Sequence, residues 1–359
     1  MTETQMQTSR LGRTGPTVGR IGFGAMGLSG VYGPAEETES VAAIHAALDS
    51  GAGLIDTGDF YGSGHNEMLV GRAIADRPRE EVTLSVKFGG MLGPDISWQG
   101  MDTRPAAVKN FLSYSLRRLG VDYIDIYRPA RLDPAVPIED TVGAIAEMVD
   151  AGYVRHIGLS EVGAETLRRA AAVHPIADLQ IEYSLFSRGI EAEILPTCRE
   201  LGIGITAYGV LSRGLLSDSL RGRDGAGLSD SRAGSPRFQG ENLSANLKLV
   251  DTLAALARER DVTTAQLAIA WVLGRGNDIV PLVGTRSARR WAESIAAGAG
   301  LGAPPRLSPG RGSAGGLPNG PRWAARAAPG AGPNRSPRRR FRSLQQSKPQ
   351  SPPRYRPPR

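Results

Sequence analysis

Between residues 19 and 285, short β-branched, apolar runs alternate with longer segments whose apolar positions recur at helical spacing. The runs Arg20–Phe23, Gly53–Asp56, Val82–Lys87, Tyr123–Ile126, His156–Leu159, Asp178–Ile181, Gly204–Ala207 and Ile279–Val283 predict eight strands. Helices are expected over Glu37–Asp49, Glu67–Ala75, Pro105–Arg118, Ile138–Ala151, Ala164–Ala172, Ile190–Glu200, Leu243–Arg258 and Thr264–Leu273. In the third of these, Val108, Leu112 and Leu116 share one face and leave Lys109 and Arg117 to solvent. Strands that alternate with helices imply parallel pairing. Eight such units over this length suit an α/β fold of the closed (β/α)8 or TIM barrel type better than an open, doubly wound sheet. Residues 213–240 form a long polar loop after the seventh strand. On a barrel, that loop falls on the face formed by the strand C-termini, where ligands bind.

A hydrophobic fraction of 40% over 359 residues supports a sizeable core. With Cys198 as the sole cysteine there is no internal disulfide framework, and the start MTETQMQTSR lacks the apolar stretch of a secretory signal, so a reducing, cytoplasmic setting is expected. No run of about 18 apolar residues predicts a membrane span, and no metal site is expected. The net charge of +7 would hint at nucleic acid, but from residue 301 onward there are 13 Lys or Arg and no acid. The first 300 residues are therefore mildly acidic, which argues against nucleic-acid binding by the body.

The chain divides into a barrel domain over residues 1–309 and a basic tail over 310–359, whose lack of acids and of periodicity predicts disorder. Arg306–Pro309 reads as the first turn of a helix whose pattern then stops. Codons for Gly310–Gly316, read one base out of register, can encode Ala-Glu-Val-Ala-Arg-Val, which would continue that helix. The tail is accordingly read as a frameshift product that leaves all eight strands in place.

Two motifs compete for the chemistry. Gly22, Gly24 and Gly27 spell G-x-G-x-x-G after a strand, but LSGVYGPA follows where a dinucleotide motif needs a helix, so a loop is expected there. The stronger signal is GLIDTGDFYGSGHNEMLVG. Asp56 ends its strand, Lys87 ends the next one, VTLSVK, and Tyr61 lies on the loop between them. A buried lysine beside a phenol stabilises phenolate, and an aspartate keeps that lysine charged, so the phenol can serve as an acid or base.

DTGDFYGSGHNE, SVKFG, IGLSE, LQIEYSLF, AYGVLSRGLL, PRFQGENL and VGTRSARRWAES together resemble the aldo-keto reductases, barrel enzymes that reduce carbonyls with NADP(H), over about Leu11 to Pro309. The resemblance implies Tyr61 as proton donor, Lys87 as the residue that depresses its pKa, and Asp56 as the partner of Lys87. It implies a cofactor site beginning at Gly24 and Met26, with Ser160 and Gln180 on the nicotinamide carboxamide and Tyr208 stacked on the ring. Leu211 and Arg213 resemble the loop over the pyrophosphate. Gly284, Thr285, Arg286 and Arg290 resemble the adenosine end, where the arginines would read a 2′-phosphate.

Two positions depart from the family. A histidine that hydrogen-bonds the substrate oxygen usually follows the fourth strand in a Tyr-x-x-His pattern, and here the run is Tyr127, Arg128, Pro129, Ala130. Glu161 stands where asparagine is more usual beside Ser160. The implied function is hydride transfer between NADPH and a small aldehyde or ketone, the alternative being an NADPH-binding regulatory subunit with little turnover. Resequencing independent isolates is expected to reveal a shifted frame near Pro309; an intact frame with the same tail would refute the frameshift.

Overall fold

In the computed structural model, residues 6–217 and 230–298 are described. An antiparallel hairpin of β1 (Thr8–Arg10) and β2 (Thr17–Gly19) opens this region. Leu11 and Val18 from it pack with Leu54, Ile126, Val280 and Leu282, plugging the end of the barrel where the strands begin. The barrel starts with β3 (Gly22–Gly24), α1 (Glu37–Asp49), β4 (Leu54–Gly58), α2 (His65–Ile74) and β5 (Thr83–Phe88). A second hairpin follows, β6 (Gly90–Leu92) and β7 (Trp98–Met101). Then come α3 (Pro105–Leu119), β8 (Ile124–Pro129), α4 (Ile138–Asp150), β9 (Val154–Ser160), α5 (Ala164–Val173), β10 (Ile176–Glu182), α6 (Ile194–Leu201) and β11 (Gly204–Tyr208). Helices α7 (Gly240–Arg258) and α8 (Thr264–Leu273) precede β12 (Ile279–Val283) and α9 (Ala288–Ile295).

The eight strands other than the hairpins form a closed parallel barrel in chain order, β12 returning to β3 through Leu282 with Gly22 and Val283 with Phe23. The expected (β/α)8 architecture is thus present. Local chemistry sets several of its boundaries. Thr263 and Gln266 make a reciprocal capping box at the start of α8, and Gly120, at φ 68°, ends α3 in a left-handed turn. Helix α6 begins at Ile194 rather than at the expected Ile190, which leaves Pro196 inside the first turn, where its missing N–H costs no hydrogen bond. Of the long loop expected over 213–240, short turns at Ser212–Gly214 and Pro236–Phe238 are seen; residues 218–229 and the tail lie outside the described residues.

Alternation along β8 sends Tyr127 outward and Arg128 inward. Tyr127 stacks on Phe88 at 4.3 Å between ring centroids and donates to the Val108 carbonyl of α3. Arg128 is wholly buried inside the barrel, where its Nη2 lies 3.1 Å from Asp178 Oδ2 and donates to Ser85 Oγ at 2.8 Å. Thr206 also donates to Asp178. The pair fits because β9 carries glycine beside it: a Cβ on Gly158 would lie 2.6 Å from Asp178 Oδ1 and 3.1 Å from Arg128 Nε.

Breaking a buried ion pair leaves an uncompensated charge, so Arg128→Met is expected to cost about 3–5 kcal/mol in urea unfolding. The double replacement Arg128→Met/Asp178→Leu is expected to cost less than Arg128→Met alone. Additive losses would show that the two charges are not coupled.

Candidate active site

The register of β4 against β5 sets Asp56 opposite Ser85 and Gly58 opposite Lys87, so Asp56 and Lys87 are diagonal neighbours at the ligand end of the barrel. Each is 4% exposed. The Lys87 ammonium hydrogen-bonds Asp56 Oδ1 and donates to Gln180 Oε1 at 2.8 Å. Gln180 Nε2 and Ser85 Oγ both donate to Asp56 Oδ2, at 2.7 and 2.8 Å. The carboxylate thus receives donors from β5 and β10, and Ser85 relays the link on to Arg128 of β8. Burial pushes the Lys87 pKa down to about 8 against the pull of Asp56, with Arg128 adding to the depression.

After Asp59 the chain turns sharply. Gly62, Ser63 and Gly64 all have left-handed backbone, with φ of 56°, 54° and 92°, before α2 starts at His65. Two glycines in three positions make that turn affordable. It holds Tyr61 buried at the mouth with its ring centroid 5.2 Å from Lys87 Nζ. Phe60 meets Tyr61 edge-on at 4.8 Å and Trp98 of the second hairpin at 5.7 Å, giving the mouth an aromatic wall. The expectation of a depressed phenol fails in this state. Burial, reinforced by the Asp56 carboxylate, pushes the Tyr61 pKa well up, and of its leading influences only Arg131 pulls it down. The physical reason is that the phenol has lost water beside a carboxylate, while the Lys87 ammonium is engaged by Asp56 and Gln180.

Ala130 is buried at the end of β8, so a methyl group stands where the resemblance implied imidazole. The histidine nearest in sequence to Tyr61, His65, is engaged elsewhere, with Ser29 and Glu37.

The residues expected around a cofactor line the same end of the barrel. Ser160 and Gln180 are paired across β9 and β10, and both are buried. Gln180 is already committed to Lys87 and Asp56, so contact with a carboxamide would require it to share those bonds. Tyr208 ends β11, and burial together with the Glu161 carboxylate raises its phenol pKa. Glu161 has φ 55°, left-handed backbone that asparagine adopts more readily than glutamate. Its Oε1 accepts the Glu182 N–H at 2.9 Å.

Ser212 and Arg213, after Leu211, also have left-handed backbone, with φ of 48° and 58°. Such non-glycine outliers mark a turn held by its surroundings. Gly24 faces Gly284 closely, since a Cβ on Gly284 would lie 3.2 Å from the Gly24 carbonyl oxygen. Met26 is half-buried in the turn Ala25–Leu28, where the expected loop replaces a dinucleotide-type helix. Thr285 Oγ1 accepts the Ser287 N–H at the start of α9. Arg286 Nη1 donates to the carbonyls of Pro34 at 2.6 Å and Gly33 at 3.3 Å, and Arg290 is exposed on α9.

Several further residues complete the site although the sequence assigned them no role. Asn66 is fully buried and ties the Tyr61 loop to the first one, accepting from Thr57 at 2.7 Å and donating to the Ala25 carbonyl at 2.9 Å and Ser29 Oγ at 2.7 Å. Asp59 is buried; its N–H donates to the Lys87 carbonyl and its Oδ2 accepts the Gly89 N–H at 3.1 Å. Ser85, Trp98 and Arg131 likewise join the site only through the closing of the barrel.

Residues 20–300 match the model of the aldo/keto reductase family. The chain belongs to the aldo-keto reductase family. It is 43% identical over 306 residues to a probable aldo-keto reductase of Glycine max, covering 83% of this chain and 86% of that protein. A glycerol dehydrogenase of Gluconobacter oxydans superposes with a TM-score of 0.74 at 30% identity, over 82% of this chain and 90% of its own. An aldo-keto reductase of Bacillus halodurans, solved in its holo form, gives a TM-score of 0.67 at 25% identity, over 83% and 92% of the two chains. Membership makes this aldo-keto reductase an oxidoreductase of a family that works with NAD(P)H on carbonyl compounds. Among its described residues, no helix is long and apolar enough to cross a membrane and no cluster of potential metal ligands occurs.

Burial raises the Asp59 pKa to about 8 from an ordinary 3.8. Between those values the folded protein holds a proton that the unfolded chain has lost, so Asp59 lowers stability progressively as pH rises from about 4 to 8. Asp59→Asn keeps an acceptor for Gly89 without the charge. Chemical unfolding is expected to show a flatter pH dependence over that range, with a gain of about 1–3 kcal/mol at pH 8. Superimposable pH–stability curves for parent and variant would exclude the assignment.

Proposed function

We propose that this aldo-keto reductase reduces small aldehydes and ketones to alcohols with NADPH, and oxidises the alcohols in reverse, with Tyr61 as the proton donor. The observation that carries this reading is the Tyr61 phenol packed over the buried Asp56–Lys87 pair at the ligand end of the barrel.

The residues present suit an anionic dinucleotide. Ser212 Oγ, in the strained turn after β11, is buried and has no hydrogen-bond partner among the described residues, a hydroxyl suited to a phosphate oxygen. Leu211 and Arg213 would cover the pyrophosphate, Gly24, Met26 and Gly284 would leave room for the backbone to approach it, and Thr285, Arg286 and Arg290 would hold the adenosine 2′-phosphate. Arg286 spends Nη1 on loop carbonyls and keeps further N–H donors for a phosphate. Ser160 and Gln180 would orient the nicotinamide against Tyr208.

When bound, NADPH supplies a hydride to the carbonyl carbon. Tyr61, kept protonated by burial, gives its phenolic proton to the carbonyl oxygen. The phenolate left behind sits beside the Lys87 ammonium in a site from which water is largely excluded, where opposite charges attract more strongly than in solvent. Asp56 holds the ammonium in place, and Ser85 and Gln180 hold Asp56.

Tyr61→Phe keeps the ring and removes the proton. NADPH consumption with an aldehyde panel is expected to fall by about 10²–10⁴ in kcat, while NADPH affinity from fluorescence titration stays within about twofold. Undiminished reduction by Tyr61→Phe would overturn the role of Tyr61. Tight NADPH binding without turnover of any carbonyl by the parent would favour a regulatory subunit.

A further inference from the structure

Ala130 removes an imidazole from the mouth, and the next residue brings a different donor to the gap. Arg131 follows the strand end, and its guanidinium folds back over residue 130: Nη1 donates to the Ala130 carbonyl at 2.5 Å and lies 3.4 Å from Ser160 Oγ. Ser160 is buried at the end of β9, and Ala130, also buried, contributes only a methyl group there. The Arg131 charge acts on Tyr61, on Lys87 and on Tyr208, lowering the pKa of each. These three groups come from the loop after β4, from β5 and from β11. The contacts with Ala130 and Ser160, at the C-terminal ends of β8 and β9, place the guanidinium at the mouth, and its reach to these three groups agrees with that position.

We propose that Arg131 is the hydrogen-bond donor to the substrate oxygen in this enzyme, and that its planar fork favours carbonyls with a second oxygen on the adjacent carbon: 1,2-dicarbonyl compounds and 2-oxo acids. The inference rests on the carbonyl-reductase reading above and narrows its substrate class. An imidazole presents one N–H to a substrate. A guanidinium presents several in one plane, at a spacing that matches two oxygens held side by side, and it stays charged at any working pH. Two oxygens on neighbouring carbons can engage both arms of that fork, whereas an isolated carbonyl engages one. Phe60 and Trp98 wall the mouth with aromatic carbon suited to the rest of a small substrate. Tyr61 remains the proton donor, so the two roles divide: Arg131 draws charge onto the oxygen and Tyr61 protonates it.

The test compares pentane-2,3-dione with pentan-2-one, using the parent, Arg131→Leu, Arg131→Lys and Arg131→Leu/Ala130→His. Intrinsic reactivity cancels when each variant is scored against the parent on the same compound. Arg131→Leu is expected to lose about 10²–10³ in kcat/KM on the dione, and about tenfold less than that on the monoketone. Arg131→Lys, which keeps charge without the fork, should retain more monoketone activity than Arg131→Leu yet lose the dione preference. Restoring histidine at 130 should recover monoketone turnover without recovering that preference. Thermal unfolding followed by circular dichroism, with a transition like the parent's, reports that each variant is folded.

Equal losses on both compounds, or an Arg131→Leu enzyme as active as the parent, would overturn the proposal. Inactivity of the parent on both compounds and on the aldehyde panel would instead strike the carbonyl-reductase reading itself.

Discussion

The buried contact between Asp56 and Lys87 is the interaction on which the rest of the site depends. Moving a carboxylate and an ammonium out of water costs several kcal/mol each, and mutual attraction offsets that only when the remaining donors and acceptors are also satisfied. Ser85 and Gln180 satisfy them from β5 and β10. Because these strands lie on different sides of the barrel, the ion pair is held by closure of the sheet rather than by any one loop. Tyr61 then needs only the left-handed turn at Gly62–Gly64 to come to rest against the ammonium.

Three side chains around the end of β8 shape the electrostatics of the site. Arg128 fills the interior beneath the ion pair and is matched by Asp178, with Gly158 giving both of them space. Ala130 leaves the wall above it without a donor. Arg131 then folds back toward Ser160 across that gap. Burial brings the Lys87 pKa down to about 8 against the pull of Asp56, and the cations of Arg128 below and Arg131 at the mouth add to that depression. Arg131 also works against the high pKa that burial imposes on the phenols at the mouth, on Tyr61 and on Tyr208 alike.

Elements with a period were legible before the structure. The eight barrel strands and the eight expected helices are all present, with shifts of a few residues, because burial on one face writes a period of two or of 3.6 into the chain. The two hairpins were not legible. Strands of three or four residues, with Gly12 and Gly15 between one pair and exposed Ile96 between the other, are too short to show a period and are paired by tertiary contact. The roles of Asn66 and Asp59, both inside DTGDFYGSGHNE, were hidden for a related reason: what a buried polar side chain holds shows only once its partners Ala25, Ser29, Thr57 and Gly89 are known.

The sequence alone determined which residues could carry chemistry. Asp56, Tyr61 and Lys87 stood at strand ends and on the loop between them, and the resemblance to the family marked Ala130 as a methyl where a donor was expected. Only the tertiary structure decided what those residues do to one another. It turned Lys87 toward Asp56 and Gln180, it raised the Tyr61 pKa where a lowered phenol was expected, and it folded Arg131 back toward Ser160. Desolvation and charge pairing depend on distances between strands far apart in the chain, and such distances exist only once the barrel has closed.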